Sequence, residues 1–333
     1  MTRSSLEALL AERPVLLADG ATGTNLFAMG LEAGDPPEFW NDLHPDRIRA
    51  LHQGFVDAGA DIILTNSFGC NRRRLALHKA EGRTRELAEK AARLAREVAD
   101  AAGRPVVVAG SVGPTGDLFA PLGPMTEEEA IDVFAEEIEG LKAGGADVAW
   151  IETMSAPEEI RAATAAAIRV GLPFTVTASF DTAGRTMMGL PPAALADLAA
   201  GLDQAPLAVG ANCGVGASDL LASVGAMTEA HPEMAVVAKA NCGIPRVDGD
   251  KVVYTGTPEL MADYARLAID TGCRIVGGCC GTSSGHLAAM RRAVDEHIRR
   301  ARPSLDEIVA AVGPLQSPRP SAETRARGGR RRG

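Results

Sequence analysis

The chain has 333 residues, of which 46% are hydrophobic, 23% charged and only 4% aromatic. Such a composition belongs to a soluble globular protein with a core of Ala, Val, Leu and Ile, long enough for one large α/β barrel or two smaller domains. The net charge of −9 is uneven: residues 317–333 hold six arginines and one acid, which leaves −14 on the rest, and so acidic a body argues against a nucleic-acid protein.

No apolar run approaches the ~20 residues of a membrane span. The stretch Met1-Thr2-Arg3-Ser4-Ser5-Leu6-Glu7 has no apolar signal-peptide segment. Six cysteines in a chain this long do not make a disulfide scaffold, and a cytoplasmic protein is expected.

Segments of strand and helix type alternate throughout. Pro14 to Asp19 is the first strand candidate, followed by a helix from Pro45 to Ala58 with Ile48, Leu51, Phe55 and Val56 at helical spacing. Asp61 to Asn66 is the second strand, and a long helical stretch runs over about 71–102. Pro105 to Ser111 is the third, and Thr126-Glu127-Glu128-Glu129 opens its helix as a capping box. Ala146 to Glu152 is the fourth, and Pro157 sits in the first turn of its helix. Phe174 to Phe180, Leu207 to Asn212, Ala235 to Asn241 and Cys273 to Gly278 are the remaining strands. Their helices run over Pro192–Leu202, Ser218–His231, Pro258–Thr271 and Ser284–Arg300.

Eight strands alternating with eight helices fit a closed (β/α)8 TIM-type barrel over residues 1–302; an open doubly wound sheet is the alternative. Residues 303–333 are expected to be a flexible basic tail. In a barrel the active site lies at the C-terminal ends of the strands. Those ends read Asp19-Gly20-Ala21, Thr65-Asn66, Ser111, Glu152, Asn212-Cys213, Asn241-Cys242 and Cys279-Cys280. No dinucleotide fingerprint opens a helix and no P-loop is present.

Cys213, Cys279 and Cys280 each follow an apolar run and are flanked by glycines. Three thiols are one ligand short of tetrahedral zinc, as in a catalytic site whose open position takes water or substrate. The other readings are small core residues, a vicinal disulfide at 279–280 or a closed structural zinc. Cys273 enters the eighth strand at its opposite end and reads as buried filler. Cys242 lies at the thiol end but reads more readily as packing, and Cys70 sits in the loop after the second strand. Zinc keeps a coordinating thiol deprotonated, and a thiolate at neutral pH is suited to alkyl transfer. Asp19 and Glu152 read either as caps or salt bridges of the following loops or as holders of an ammonium group, and the backbone N–H groups around Gly20 and Ala21 could receive a carboxylate. Together these describe a site for a thiol-bearing amino acid.

At Asp19-Gly20-Ala21-Thr22-Gly23-Thr24, Ala60 to Phe68, Gly113-Pro114-Thr115, Ile151-Glu152-Thr153, Asn212-Cys213-Gly214 and Gly277 to Thr282 the chain resembles the homocysteine S-methyltransferase family. The resemblance spans about residues 14–295. It implies a (β/α)8 barrel with Zn²⁺ on Cys213, Cys279 and Cys280, and homocysteine as the methyl acceptor, giving methionine. It also implies substrate contacts at Asp19, Gly20, Ala21, Glu152 and Asn212.

The family's donors are betaine, S-methylmethionine and methylcobalamin. Betaine needs an aromatic cage. The betaine branch carries two tyrosines, at positions that here look like Thr153 and Ser67 or Phe68, leaving Trp40 and Phe39 as cage candidates. The motifs look more like the homocysteine module of cobalamin-dependent methionine synthase, although Asn241-Cys242-Gly243 departs from the Asn-Ala-Gly of that module. The chain has no Asp-x-His-x-x-Gly cobalamin motif, so methylcobalamin would arrive on a separate protein. The competing classes are a barrel that only stores zinc and a metal-free dithiol redox enzyme.

Overall fold

Runs such as Val106-Val107-Val108-Ala109 and Val236-Val237-Ala238 are apolar on both faces, which suits strands covered on both sides. The structure, a computed structural model, describes residues 5–248 and 251–317. Its strands are β1 (Leu16–Leu17), β2 (Ile62–Leu64), β3 (Val107–Val112), β4 (Val148–Met154), β5 (Phe174–Ala178), β6 (Val209–Cys213), β7 (Val236–Ala240), β8 (Pro245–Asp248), β9 (Lys251–Tyr254) and β10 (Ile275–Gly278). Eight of them form a parallel sheet in the order β1-β10-β7-β6-β5-β4-β3-β2. A parallel bridge from Ala18 to Ile62 joins the two outer strands, and Asp61 N–H donates to Leu17 O at 2.7 Å. The ring therefore closes into the expected (β/α)8 barrel.

Alternate strand residues form the inner layer: Leu16 and Ala18, Ile62 and Leu64, Val107 and Ala109, Val148 and Trp150 pack as one cluster. Leu6 and Leu9 belong to the same cluster, so the helix Leu6–Glu12 plugs the N-terminal end of the barrel. The intervening residues, such as Ile63, Val108, Ala149 and Val276, pack outward against the helices. Proline opens the helices Pro157–Val170, Pro192–Ala200 and Pro258–Thr271, where its missing N–H is not needed. Among the described residues no helix is long and apolar enough to cross a membrane.

Three expectations need correction. The single helix expected over 71–102 is divided: Arg72–Leu75 and two 3₁₀ turns precede the helix Thr84–Ala101. The break lies at Lys79, whose φ of +56° ends helical geometry. Between β7 and its helix the chain inserts the antiparallel hairpin β8–β9. Finally, the flexible tail does not begin at residue 303. Leu305–Val312 is a helix opened by a Ser304–Glu307 capping box, with Ile308 and Val312 buried against the barrel. The Asp219 carboxylate then accepts the N–H groups of Gln316 and Ser317 at 2.8 and 3.0 Å. Residues 318–333 of the expected tail lie outside the described residues.

Candidate active site

The ends of β6 and β10 bring three thiols together. The Sγ atoms of Cys213, Cys279 and Cys280 all lie within 4.8 Å of one another, and Cys213 Sγ is 3.8 Å from Cys280 Sγ. Zinc–sulfur bonds of ~2.3 Å in tetrahedral geometry place two sulfurs about 3.8 Å apart. The donor set therefore fits a zinc ion with one position left open. Among the described residues this is the one group of ligating side chains close enough to hold a metal.

The backbone is forced to achieve this. Cys213 has φ +61° and Thr153, at the end of β4, has φ +63°, and each such non-glycine residue costs about 1–3 kcal/mol. Asn212 holds both in place. Its Oδ1 accepts from Thr153 N–H at 2.9 Å and Thr177 Oγ1 at 2.7 Å, and its Nδ2 donates to Thr153 Oγ1 at 2.7 Å. With its side-chain amide so engaged and 1% exposure, Asn212 braces the strand ends beside the thiols.

The β10 loop is stitched to the β1 loop. Thr282 O accepts from Ala21 N–H at 3.0 Å, and Asn25 Nδ2 donates to both Ala21 O and Thr282 O. A Cβ at Gly20 would lie 2.5 Å from Thr282 O, so only glycine lets these loops meet. The Ala21 N–H donates to Thr282 O, and both Gly20 and Ala21 line the pocket. The hairpin supplies a residue that sequence reading missed. Tyr254 packs over Gly281 and hydrogen-bonds Cys280. Hydrogen bonds from Cys213 and Cys279, and then from Tyr254, hold Cys280 down at about 3 despite its burial. Cys213 is held well above the usual thiol range by its bonds to the other two and by burial. The Asp248-Gly249 pair between two alternating runs was the signal for that hairpin.

Cys242 stays outside the cluster. It is 1% exposed, its N–H donates to Cys280 O at 2.9 Å, and burial raises its thiol to about 11. It packs behind the ligand loop. Cys273 is buried at the other end of the barrel and Cys70 under the β2 loop.

Glu152, at the end of β4, lines the same pocket as the thiols. Ser111 Oγ donates to its Oε1 at 2.5 Å, and Ser111 is held in turn by Thr65 and Ser67. Burial pushes Glu152 up to about 7, with Lys239 pulling the other way. Asp19 is placed differently from expectation. Its Oδ1 accepts from Lys239 Nζ at 2.6 Å and its Oδ2 from Leu64 N–H at 2.7 Å, at 1% exposure. The buried Lys239, not a substrate ammonium, is its partner, and nothing in the sequence pattern marked that lysine.

The pocket holds about 570 Å³ and is mainly apolar at its mouth, where Phe27, Phe68 and Leu77 stand. Trp40 and Phe39 do not line it. Trp40 is 5% exposed and packs on His44 at 4.7 Å with Arg47 4.9 Å above its ring, and Phe39 faces His78. The proposed cage walls are therefore absent.

Known proteins agree with this geometry. Residues 16–294 match the family model described as homocysteine S-methyltransferase. Methionine synthase of Mycobacterium tuberculosis (strain ATCC 25618 / H37Rv) is 30% identical over 329 residues, which cover 91% of this chain and 27% of that protein. Methionine synthase of Mycobacterium leprae (strain TN) is 29% identical, covering 93% and 27%. The chain thus spans about a quarter of the length of these relatives. The metallated form of the homocysteine methyltransferase MmuM from Escherichia coli superposes with a TM-score of 0.73 at 26% identity, covering 86% of this chain and 99% of that one. The chain accordingly belongs to the homocysteine S-methyltransferase family.

Proposed function

We propose that this protein is a zinc-dependent homocysteine S-methyltransferase that forms methionine with a methyl group presented by a separate protein, carried there as methylcobalamin. Zinc on Cys213, Cys279 and Cys280 would supply a Lewis acid that keeps the homocysteine sulfur deprotonated at neutral pH. The other roles belong to the chain. Glu152 holds the substrate ammonium, and the hydrogen bond from Ser111 fixes its carboxylate. Asn212 and Tyr254 fix the thiols. The apolar mouth excludes water from the reacting sulfur. The sulfur lone pair forms the new S–C bond as the donor–methyl bond breaks, that bond's electron pair leaves with the demethylated donor, and the thiol proton has passed to solvent before transfer. The reduced thiols suit a cytoplasmic setting.

The observation that carries the donor reading is a ring of exposed apolar side chains. Twelve large apolar residues stand exposed among the described residues. Of these, Phe27, Phe68 and Leu77 line the thiol pocket, and Leu118, Leu122, Met187 and Met188 stand on the loops that follow β3 and β5. Contiguous apolar surface around a pocket marks a protein contact. A second reading, free betaine, is favoured by Phe27 and Phe68, two rings that line the pocket. Methionine formation from homocysteine with betaine, S-methylmethionine or methylcobalamin in turn separates these. Turnover with methylcobalamin and not with betaine supports the first reading; efficient turnover with betaine alone overturns it.

A further inference from the structure

A second cleft, of about 1000 Å³, lies at the end of the barrel opposite the thiols, among the segments that lead into β1, β2, β3 and β10. Arg13, Arg104, Arg274, Arg291 and Arg299 line it. Against them stand Glu12, Asp61 and Asp295, so the lining carries two positive charges in excess with His297 neutral. This is unexpected on a chain whose net charge is −9.

Part of the arrangement is structural. Asp61 is 2% exposed and accepts from Leu17 N–H at 2.9 Å. Arg13 and Arg291 reach the same carboxylate at 2.6 and 3.0 Å, and Arg104 stands 3.9 Å away. Arg274 donates to the carbonyls of Leu10, Arg13 and Pro14 at the end of the first helix. Arg291 Nη2 also donates to Asp295 at 2.5 Å, so two carboxylates stand against these three guanidinium groups. Arg291 Nε is buried without a hydrogen-bond partner, and Arg299 makes no ion pair with a described residue. Space is kept open for both. A Cβ at Gly59 would lie 2.6 Å from the Arg291 stem, and one at Gly272 would lie 3.0 Å from Arg299 Nη2. Beside these cations Ile298 stands 84% exposed, with Val294 next to it on the cleft wall.

We propose that this cleft binds a small phosphate-bearing anion of nucleotide size, its phosphates on Arg104, Arg291 and Arg299 and its apolar part against Ile298. The excess charge supplies the attraction, planar guanidinium forks match phosphate oxygens, and the volume is that of a small-molecule site. The site is independent of the methyl-transfer pocket and of the donor reading.

The test is calorimetric titration of the full chain with ATP, pyrophosphate and inorganic phosphate at low ionic strength, repeated with Arg299→Glu and Arg104→Gln. Arg299 makes no contact with Asp61, so its replacement leaves the barrel plug intact. ATP and pyrophosphate are expected to bind, and Arg299→Glu to weaken them about tenfold or more. Excess homocysteine should leave that binding unchanged. Tighter binding of ATP than of pyrophosphate assigns the Ile298 wall to a nucleoside; equal binding assigns the cleft to any polyphosphate. Absence of heat with all three probes at millimolar concentration overturns the proposal, as does wild-type affinity in both variants.

Discussion

Lys239 Nζ lies 2.6 Å from Asp19 Oδ1, an ion pair whose side chains are 2% and 1% exposed, at the base of the thiol pocket. Trp150 lies below it, with the ammonium 5.9 Å from the ring centroid. The pair links the ends of β1 and β7, the two strands that flank β10 and its thiols. Burial alone would lower the Lys239 pKa, but Asp19 and then Glu152 outweigh it and keep the lysine charged. Removing one partner leaves the other charge buried and unpaired, which costs about 3–5 kcal/mol. Lys239→Met is therefore expected to lower the denaturant midpoint strongly, and Asp19→Asn to do the same. The double variant should recover much of the loss. A Lys239→Met loss under about 1 kcal/mol, read by urea unfolding, would refute a buried ion pair at this position.

Glu152 gives a pH prediction. Its carboxyl is held up at about 7, chiefly by burial, so it binds a proton in the folded chain where the unfolded chain does not. Between its ordinary value of 4.5 and about 7 stability falls as pH rises, and above that window the burial cost is fully present. A substrate ammonium offsets that cost by pairing with the ionised form. The KM for homocysteine is thus expected to rise as pH falls through about 7. Glu152→Gln should raise KM about 10- to 150-fold and flatten that limb of the profile. Unchanged homocysteine kinetics in Glu152→Gln would make the carboxylate structural.

The thiol cluster gives a metal prediction. Purified protein should hold about one zinc per chain, and Cys213→Ala, Cys279→Ala and Cys280→Ala should each lose it. Cys242→Ala and Cys273→Ala should retain it, since neither thiol belongs to the cluster. Tyr254→Phe removes the hydrogen bond to Cys280, and loss of such an outer contact weakens metal binding about 10- to 100-fold. Competition with a chromophoric chelator reads all six variants; full zinc occupancy in any of the three ligand variants removes that residue from the set.

The barrel and the thiol site were legible because both are written locally. Each strand is a short apolar run, and glycines next to Cys213, Cys279 and Cys280 announce where regular backbone ends. What only closure of the ring decides was not legible. Asp19 reads as a free carboxylate until Lys239, 220 residues later, is brought against it. Asn212 reads as a ligand contact until Thr153 and Thr177 arrive from neighbouring strands to occupy its amide. Trp40 reads as a cage wall because its packing against His44 and Arg47 depends on how an inserted loop folds back. Two misses did have local signals. Asp248-Gly249 marked the hairpin, and the Ser304–Glu307 capping box marked the last helix, but the charge of the tail that follows drew the reading toward disorder.

The apolar ring gives the prediction that bears on the donor. Leu122 and Met187 stand 69% and 73% exposed on the loops after β3 and β5, outside the pocket lining. Neither is buried in the fold, so a charge at either position changes stability little, within about 0.5 kcal/mol. A charge does prevent the desolvated contact that a docking protein makes with an apolar surface. Leu122→Asp together with Met187→Asp is therefore expected to leave methionine formation from free methylcobalamin within about twofold, since neither side chain lines the pocket and that step depends on Glu152 and the thiols. Transfer from a methylcobalamin-carrying protein should fall about tenfold or more in kcat/KM, the effect of roughly 1.4 kcal/mol of lost contact. The measurement is methionine formation with the two donors side by side. Equal loss with both would place the ring in the pocket itself, and no loss with either would show that the donor does not cross this surface.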